Sequence, residues 1–162
     1  MILSADTPPD GTVRDWLNAR AETDGTAFVF PAGGDPISWA ELRDHAARIA
    51  SHLTALGIAK GASVALMHPN GRDGVLALYG VLYAGFRATM INLVAGADAI
   101  AYALDHSEAR HAFVHEDAQG IFDQVVPIGH IVQIEMNGAE KAVLFDLDAT
   151  DQALLMYTSG TT

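Results

Sequence analysis

The final residues of the chain have the types and spacing that most directly suggest chemistry. They are Thr158, Ser159, Gly160, Thr161 and Thr162. Their hydroxyls and backbone amides can donate hydrogen bonds to a phosphate group, and the central glycine lets the backbone approach an anion closely. The same residue types also dominate ordinary turns, so composition alone leaves both interpretations open.

Other nucleophile and nucleotide motifs are missing from the sequence. The G-x-S-x-G elbow of a hydrolase needs glycine two positions before Ser159, where this chain has Tyr157. Neither a G-x-x-x-x-G-K-[ST] loop nor a G-x-G-x-x-G fingerprint occurs. The sequence therefore disfavours a serine hydrolase, a P-loop nucleotidase and a dinucleotide oxidoreductase.

The histidines do not form a metal-binding pattern. His111 and His115 are the nearest candidate pair, but along a strand their Cα atoms would lie roughly 13 Å apart, too far for one tetrahedral ion. His68 precedes Pro69 at the carboxyl end of a predicted strand, where it either faces a site or packs within the loop. Packing is the favoured interpretation, and we predict no metal site.

Two further clusters are interpreted as structural. Tyr79, Tyr83 and Phe86 share one face of a predicted helix, and packing against a sheet explains that spacing better than a ligand-binding strip does. Glu116 and Asp117 are adjacent carboxylates whose side chains diverge, so they fit the start of a helix. We expect no catalytic role for either cluster.

Composition excludes several classes of function. The 162 residues carry a formal net charge of −11, which opposes a general affinity for nucleic acid or anionic lipid. The N-terminus lacks the pattern of a secretion signal, and without cysteine there is no disulfide scaffold. The longest nearly apolar run, 74–86, has about thirteen residues where a spanning helix needs roughly twenty. We expect a cytoplasmic protein with no membrane span.

Periodicity and turn signals predict alternating strands and helices. The predicted helices are 13–21 after the N-cap Thr12, 39–56 after the N-cap Ser38, Asp73 to Phe86, and Ala97 to His106. The predicted strands are Thr26 to Phe30, Ile37 to Trp39, Ser63 to His68, Thr89 to Asn92, Ala112 to His115, Ile131 to Ile134 and Leu154 to Thr158. The helix after Ser38 has the clearest signals, because Glu41 completes a capping box and Gly57 stands where a left-handed cap belongs.

These elements predict an α/β fold with a mostly parallel sheet flanked by helices on both faces. The first two strands form a hairpin, and the helix from Asp73 to Phe86 is apolar on more than one face, so it lies between layers. Ligands of such sheets bind beyond the carboxyl ends of the strands. The last strand opens there into Thr158–Thr162, which places the hydroxyl-rich tail at a binding edge.

The tail also resembles a family signature. Tyr157 to Thr162 reads Tyr-Thr-Ser-Gly-Thr-Thr and is similar to the opening of the phosphate-binding loop of the adenylate-forming, AMP-binding superfamily. That superfamily comprises acyl- and aryl-CoA synthetases, adenylation domains of peptide synthetases, and luciferases. In the family the loop continues Gly-x-Pro-Lys, whereas this chain ends at Thr162.

Upstream segments resemble the same family in order and spacing. They are Ile37 to Leu42, Leu56 to Leu66, Leu82 to Phe86, Ile91 to Asn92 and Ala101 to Arg110. The resemblance covers roughly 27–162, although Ser63, Tyr83 and Leu93 depart from the family's usual residues. Asn92 stands where peptide-synthetase domains more often have aspartate, which favours the acyl- or aryl-CoA synthetase branch.

The resemblance implies an acid–thiol ligase that uses ATP, Mg²⁺ and coenzyme A and takes a role in fatty acid metabolism. Such an enzyme joins a small carboxylic acid to the α-phosphate of ATP as an acyl-adenylate and then passes the acyl group to coenzyme A. The loop Thr158–Thr162 would hold the β- and γ-phosphates while the carboxylate attacks. No nucleophile on the protein is required.

The resemblance also implies that most of the machinery lies downstream of Thr162. In the family the adenine-binding segment, the metal-ligating glutamate, the acyl pocket and the catalytic lysine all follow the loop, so we expect the catalytic residues there. Residues 1–162 are accordingly expected to be an incomplete N-terminal lobe that is inactive alone and does not bind ATP measurably. Apolar surface left uncovered in such a lobe favours self-association into a homo-oligomer.

Two alternatives stay open. One is a natural stand-alone α/β module that binds or interacts without chemistry, and the other is an adenylation domain that loads a carrier protein instead of coenzyme A. A reading frame that continues past Thr162 with Gly-x-Pro-Lys favours a ligase, whereas a stop codon at that position favours the stand-alone module.

Overall fold

The computed structural model describes residues 10–31, 33–138 and 142–157. Its helices are α1 Val13–Ala21, α2 Trp39–Ala55, α3 Arg72–Ala84, α4 Ala97–His106 and α5 Gln119–Val125, with a 3-10 turn at Glu116–Ala118. Its strands are β1 Thr26–Phe28, β2 Ile37–Ser38, β3 Ser63–Met67, β4 Arg87–Met90, β5 His111–Val114, β6 Val132–Gln133 and β7 Leu154–Met156.

Five of the strands form one parallel sheet in the order β6-β5-β3-β4-β7. The central strand β3 is buried along its whole length, as its unbroken small and apolar sequence predicts for a strand covered on both faces. β1 and β2 form a separate antiparallel pair, which is the predicted hairpin. The predicted α/β fold with a mostly parallel sheet is confirmed.

Helices cover both faces of the sheet, as predicted. One core lies beneath α1, α2 and α3 and includes Val64 and Leu66 of β3. The other core lies beneath α4 and α5 and includes Ala65 and Met67 of the same strand. Because successive side chains of a strand point to opposite faces, β3 contributes to both cores.

Two capping boxes define where the first long helices begin. At α2 the Ser38 hydroxyl accepts the Glu41 N–H at 3.2 Å, and the Glu41 carboxylate accepts the Ser38 N–H at 2.8 Å. Thr12 and Asp15 form the same pair at the start of α1. Gly57 follows α2 with a φ of 75°, the left-handed conformation that ends many helices. These local predictions are confirmed.

α3 lies between α2 and the sheet, which explains why it is apolar on more than one face. A Cβ atom at Gly80 would meet Ile49 of α2, so the two helices approach closely. Val81 and Ala84 are fully buried, and Tyr83 and Phe86 also belong to this core. The core-packing interpretation is confirmed for all three aromatic residues, because Tyr83 and Phe86 are buried in this core and the partly buried Tyr79 packs against it.

Strand boundaries differ from the predictions by one or two residues. β2 ends at Ser38, β3 at Met67 and β7 at Met156, and β6 covers only Val132–Gln133. β4 starts at Arg87, two residues before the predicted Thr89, because the Arg87 N–H donates to the Ala62 carbonyl at 3.0 Å and extends the ladder. β5 starts at His111 and ends at Val114, so His115 has left the strand. The ends of a strand depend on its backbone hydrogen bonds to neighbouring strands, and these partners cannot be identified from the sequence of the strand itself.

β1 also differs from its prediction, and a further helix follows β5. β1 ends at Phe28, two residues before the predicted end, and it is only partly buried. α5 is a short helix that is not among the predicted helices. Glu116 and Asp117 lie in the 3-10 turn that precedes it, in agreement with their predicted position at the start of a helix. Within the described ranges, no helix combines the length and apolar character needed to cross a membrane.

Candidate functional site

The carboxyl edge of the parallel sheet brings together segments that are distant in sequence. His115 follows β5, His68 follows β3, Ile91 follows β4 and Tyr157 follows β7. Because the strands are parallel, all four positions lie at the same edge of the sheet. This is the edge at which sheets of this class bind ligands.

Tyr157 is held in place at the end of β7. Its hydroxyl lies 3.0 Å from Nδ1 of His106, the last residue of α4. The His106 ring stacks on Tyr102 with 5.3 Å between ring centroids, and Tyr102 also meets the Tyr157 ring edge-on. Burial raises the pKa of Tyr157, so its hydroxyl stays protonated at neutral pH. The three rings fix the end of β7 against α4.

The predicted phosphate-binding residues follow directly after this anchored tyrosine. Thr158, Ser159, Gly160, Thr161 and Thr162 lie outside the described residues. What the structure establishes is their starting point, since Met156 pairs with Met90 of β4 and Tyr157 ends the described chain at the carboxyl edge. Their role in phosphate binding stays a prediction.

A second part of the carboxyl edge lies between the neighbouring strands β3 and β5, which are followed by helices on opposite faces of the sheet. β3 leads into α3 on one face of the sheet, whereas β5 leads into α5 on the other face. Two neighbouring strands whose connections leave to opposite faces create a crevice, the usual binding position in open α/β sheets. His68 and His115 border this crevice, with 5.4 Å between their ring centroids.

The two imidazoles are in different electrostatic environments. Burial lowers the pKa of His68, the neighbouring His115 lowers it further, and Asp73 opposes the shift. Nδ1 of His68 is buried and has no hydrogen-bond partner among the described residues. Nδ1 of His115 accepts the Asp117 N–H at 3.2 Å. His68 is therefore a neutral ring that can exchange a hydrogen bond with a group entering the crevice.

A cavity of about 340 Å³ adjoins this crevice. Its polar lining includes His45, His68, Arg72, Asp73 and Glu135. Opposite charges are present side by side, so the cavity suits a polar group more than a simple anion or cation. In the described part of the chain, no group of three or more His, Asp or Glu side chains is arranged to hold a metal ion.

Sequence reasoning placed His68 at a strand end but did not find its neighbour. Spacing along the chain paired His115 with His111, whereas the structure pairs it with His68 through the β3–β5 ladder. The available signal was weak: each histidine follows directly after an apolar strand. Only the strand order turns that signal into a contact.

The family model of the AMP-binding enzymes matches residues 16–162. The chain belongs to the AMP-binding enzyme family. The match includes the described sheet and continues through the hydroxyl-rich tail, and it confirms the resemblance inferred from the sequence motifs. The family assignment therefore covers almost the whole chain.

Curated relatives in this family are CoA ligases. The chain is 24% identical over 153 residues to a 2-succinylbenzoate–CoA ligase of Bacillus cereus, covering 93% of this chain and 31% of that protein. It is 28% identical over 154 residues to the ligase of the same name from Geobacillus kaustophilus, with the same shares covered. The chain thus spans about a third of the length of these relatives and resembles their N-terminal part.

Solved structures of other proteins have the same fold as this chain. The N-terminal domain of FACL13 from Mycobacterium tuberculosis superposes with a TM-score of 0.79 at 25% identity, covering 93% of this chain and 42% of that one. A putative long-chain-fatty-acid CoA ligase from Rhodopseudomonas palustris gives a TM-score of 0.80 at 20% identity, again over 93% and 42%. The matched parts of both structures therefore have the same fold as this chain.

Proposed function

We propose that residues 1–162 are an incomplete N-terminal α/β lobe of an AMP-forming acyl- or aryl-CoA ligase. The observation that carries the proposal is the parallel pairing of β7 with β4, which brings Tyr157, the residue before the tail, to the carboxyl edge of the sheet. Relatives named 2-succinylbenzoate–CoA ligase support a carboxylic acid and coenzyme A as the substrates of the whole protein. A solved relative, the Bacillus subtilis O-succinylbenzoate CoA synthetase, is in complex with AMP.

The proposed reaction has two steps. A carboxylate oxygen attacks the α-phosphorus of ATP, the bond to the bridging oxygen breaks, and pyrophosphate leaves with that electron pair. The sulfur of coenzyme A then attacks the acyl carbon, AMP leaves with the electrons of its oxygen bond, and the thiol proton passes to solvent. Neither step needs a covalent bond to the protein.

In the first step the tail stabilises the departing pyrophosphate. The hydroxyls of Thr158, Ser159, Thr161 and Thr162 and the backbone amides of 159–162 donate hydrogen bonds to the β- and γ-phosphates, and Gly160 lets the backbone turn around them. The contact between Tyr157 and His106 supports this role, because it gives the loop a fixed origin. Fixed donors stabilise developing charge without reorganising during the reaction.

The magnesium ion that accompanies ATP has no identified ligands in the described part of the chain. The described residues contain no group of three or more side chains suited to a metal ion, so we assign no step to residues that hold it. The crevice beside His68 and His115 lacks a third ligand of that kind.

The test uses the protein encoded by the complete reading frame. We expect release of AMP and pyrophosphate when it is given ATP, coenzyme A and a panel of aryl and acyl carboxylic acids. Thr161→Ala should lower kcat/KM for ATP by at least about tenfold, because it removes a donor to the leaving group. Thr150→Ala is the matched control and should change nothing, because Thr150 is exposed and its hydroxyl donates to the neighbouring Asp148.

The 162-residue chain alone provides a second test. Calorimetry of this 162-residue polypeptide with MgATP should give no measurable heat of binding, because it spans only about a third of the length of the related ligases. A micromolar dissociation constant for the chain alone would contradict the expected inactivity. Unchanged kinetics of Thr161→Ala in the complete protein would contradict the role of the loop.

A further inference from the structure

An open groove of about 520 Å³ lies among α1, the start of α2 and α3. Its lining residues are Gly11, Thr12, Val13, Trp16, Leu17, Arg20, Trp39 and Tyr79. None of them follows a strand at the carboxyl edge, so the groove is separate from the candidate nucleotide site. Its volume is in the range of pockets that bind small organic molecules.

The walls of the groove are aromatic. The chain has 2 tryptophans, and both Trp16 and Trp39 line this groove. Trp16 is 39% exposed, and its indole N–H donates to the Asp10 carbonyl at 2.8 Å. The buried Leu17 also contributes to the lining. Such walls favour an apolar body, because its burial removes hydrophobic surface from water.

Arg20 provides a positive charge in the lining of the groove. The guanidinium carbon of Arg20 lies 4.8 Å from the ring centroid of Trp39, a cation–π contact that leaves its N–H donors available. Among the described residues Arg20 forms no ion pair, in contrast to Arg43, which contacts Asp44 at 2.6 Å. An unpaired arginine is notable in a chain with a formal net charge of −11. Its planar donor pair matches a carboxylate.

A second donor comes from α3. The Tyr79 ring packs edge-on against Phe28, with 5.7 Å between centroids. No hydrogen bond of the Tyr79 hydroxyl occurs within the described ranges, although the ring lines the groove. Burial raises the pKa of Tyr79, so the hydroxyl keeps its proton and can donate.

We propose that this groove binds an amphipathic carboxylate, with its alkyl or aryl body between Trp16 and Trp39 and its carboxylate against Arg20 and the hydroxyl of Tyr79. The charge of Arg20 selects an anion, and the aromatic walls select one that carries an apolar body. The site lies outside the carboxyl edge, so it does not depend on ATP or on the proposed ligase reaction.

Tryptophan emission tests this directly, because every tryptophan of the chain lines the groove. Octanoate added to the 162-residue chain should change the emission in a saturable way, without any nucleotide present. Octanol, which has the same body and no charge, should bind at least about tenfold more weakly, since a hydrogen bond to a charged group is lost. Sedimentation at the same concentrations should show no change in mass.

Substitutions distinguish the contribution of the two hydrogen-bond donors, Arg20 and Tyr79, from that of the aromatic walls. Arg20→Gln should raise the octanoate dissociation constant at least about tenfold, because the charge is lost. Arg20→Lys should raise it less, because lysine keeps the charge and lacks only the planar pair of N–H donors of the guanidinium. Tyr79→Phe should weaken octanoate binding and leave octanol unaffected. Arg43→Gln, which alters a partly exposed arginine that does not line the groove, is the matched control and should bind octanoate normally.

Three results would overturn the inference. They are emission that does not saturate, equal responses to octanoate and octanol, and an unchanged dissociation constant in Arg20→Gln. A change in mass that accompanies the emission change would also overturn it, since a second copy would then be the occupant. All of these outcomes are independent of whether the complete protein forms acyl-adenylates.

Discussion

The hydroxyl of Tyr157 lies 3.0 Å from Nδ1 of His106, which connects the end of β7 to the last residue of α4. β7 is an edge strand of the sheet, and its Leu154 and Met156 side chains are exposed. The hydroxyl contact therefore contributes to holding the end of the strand from which the predicted phosphate loop starts.

Tyr157→Phe should lower the free energy of unfolding by about 0.5–1 kcal/mol, the net value of a partly exposed hydrogen bond. Urea denaturation measures the change. Tyr102→Phe is the matched control, because the described residues contain no hydrogen-bond partner for the Tyr102 hydroxyl, and it should be nearly neutral. Equal effects of the two variants would show that the contact with His106 adds nothing.

Arg14 connects α1 to the end of α3 and to a distant loop. Its guanidinium donates to the Tyr83 carbonyl at 2.8 and 2.6 Å and to the Phe145 carbonyl at 2.8 Å. Arg14→Ala should lower the free energy of unfolding by about 2–3 kcal/mol, because a charged donor is lost and buried carbonyls stay unpaired. Arg14→Lys should cost less, since one donor can remain.

Arg43→Ala is the control for the arginine series. Arg43 contacts Asp44 on the surface, and exposed ion pairs contribute only about 0–1 kcal/mol. Thermal or urea unfolding of the variants gives the comparison. If Arg14→Ala and Arg43→Ala cost the same, the contacts with Tyr83 and Phe145 do not stabilise the fold.

Ser63 and Thr89 share a buried hydrogen bond of 2.6 Å between the adjacent strands β3 and β4. Thr89→Val alone should lower the free energy of unfolding by about 1–3 kcal/mol, because the buried Ser63 hydroxyl loses its partner. The double variant with Ser63→Ala should recover part of that loss, since no hydroxyl is then left unpaired. A double-mutant cycle measures the recovery, and strict additivity would contradict it.

Gly80 and Gly120 are helical glycines in opposite packing environments. A Cβ atom at Gly80 would lie 2.6 Å from Cβ of Ile49, whereas at Gly120 nothing lies within 4 Å. Gly80→Ala should destabilise by about 1–3 kcal/mol through overpacking. Gly120→Ala should stabilise by about 0.5–1 kcal/mol through helix propensity. Unfolding midpoints that move in the same direction would contradict the close approach of α2 and α3.

Stability should fall on acidification through about pH 6.5. Burial and His115 lower the pKa of His68 in the folded chain, with Asp73 opposing the shift, whereas an unfolded histidine titrates near 6.5. The unfolded chain then binds more protons, so the contribution of neutral His68 is present above that pH and lost as pH falls through the folded pKa. His68→Asn should flatten the decline between about pH 7 and 5.

His130→Asn, at an exposed position, is the control and should leave the slope unchanged. Backbone hydrogen bonds from Thr12 and Ser38 lower the pKa of Asp15 and Glu41, and these carboxylates lose their contribution only below about pH 4.5. The pH range in which protonation of His68 lowers stability is therefore separate from the range in which these carboxylates do so. An unchanged slope in His68→Asn would mean that burial of His68 does not couple to acid unfolding.

The sequence by itself determined the features that depend on neighbours along the chain. The capping boxes at Thr12 and Ser38, the turn at Gly57 and the limits of α4 follow from residues three or four positions apart. Motif order also identified the family, because the matching segments recur at consistent spacing. Local hydrogen bonds and helix periodicity are short-range interactions, so they can be read from a linear pattern.

Only the tertiary structure decided which distant residues meet. β3 lies between β5 and β4, so His68 meets His115, a residue distant from it in sequence. The groove likewise needs α1, α2 and α3 packed together before Arg20, Trp39 and Tyr79 line one surface. Strand order and helix packing result from burial summed over the whole core, a quantity that no local pattern contains.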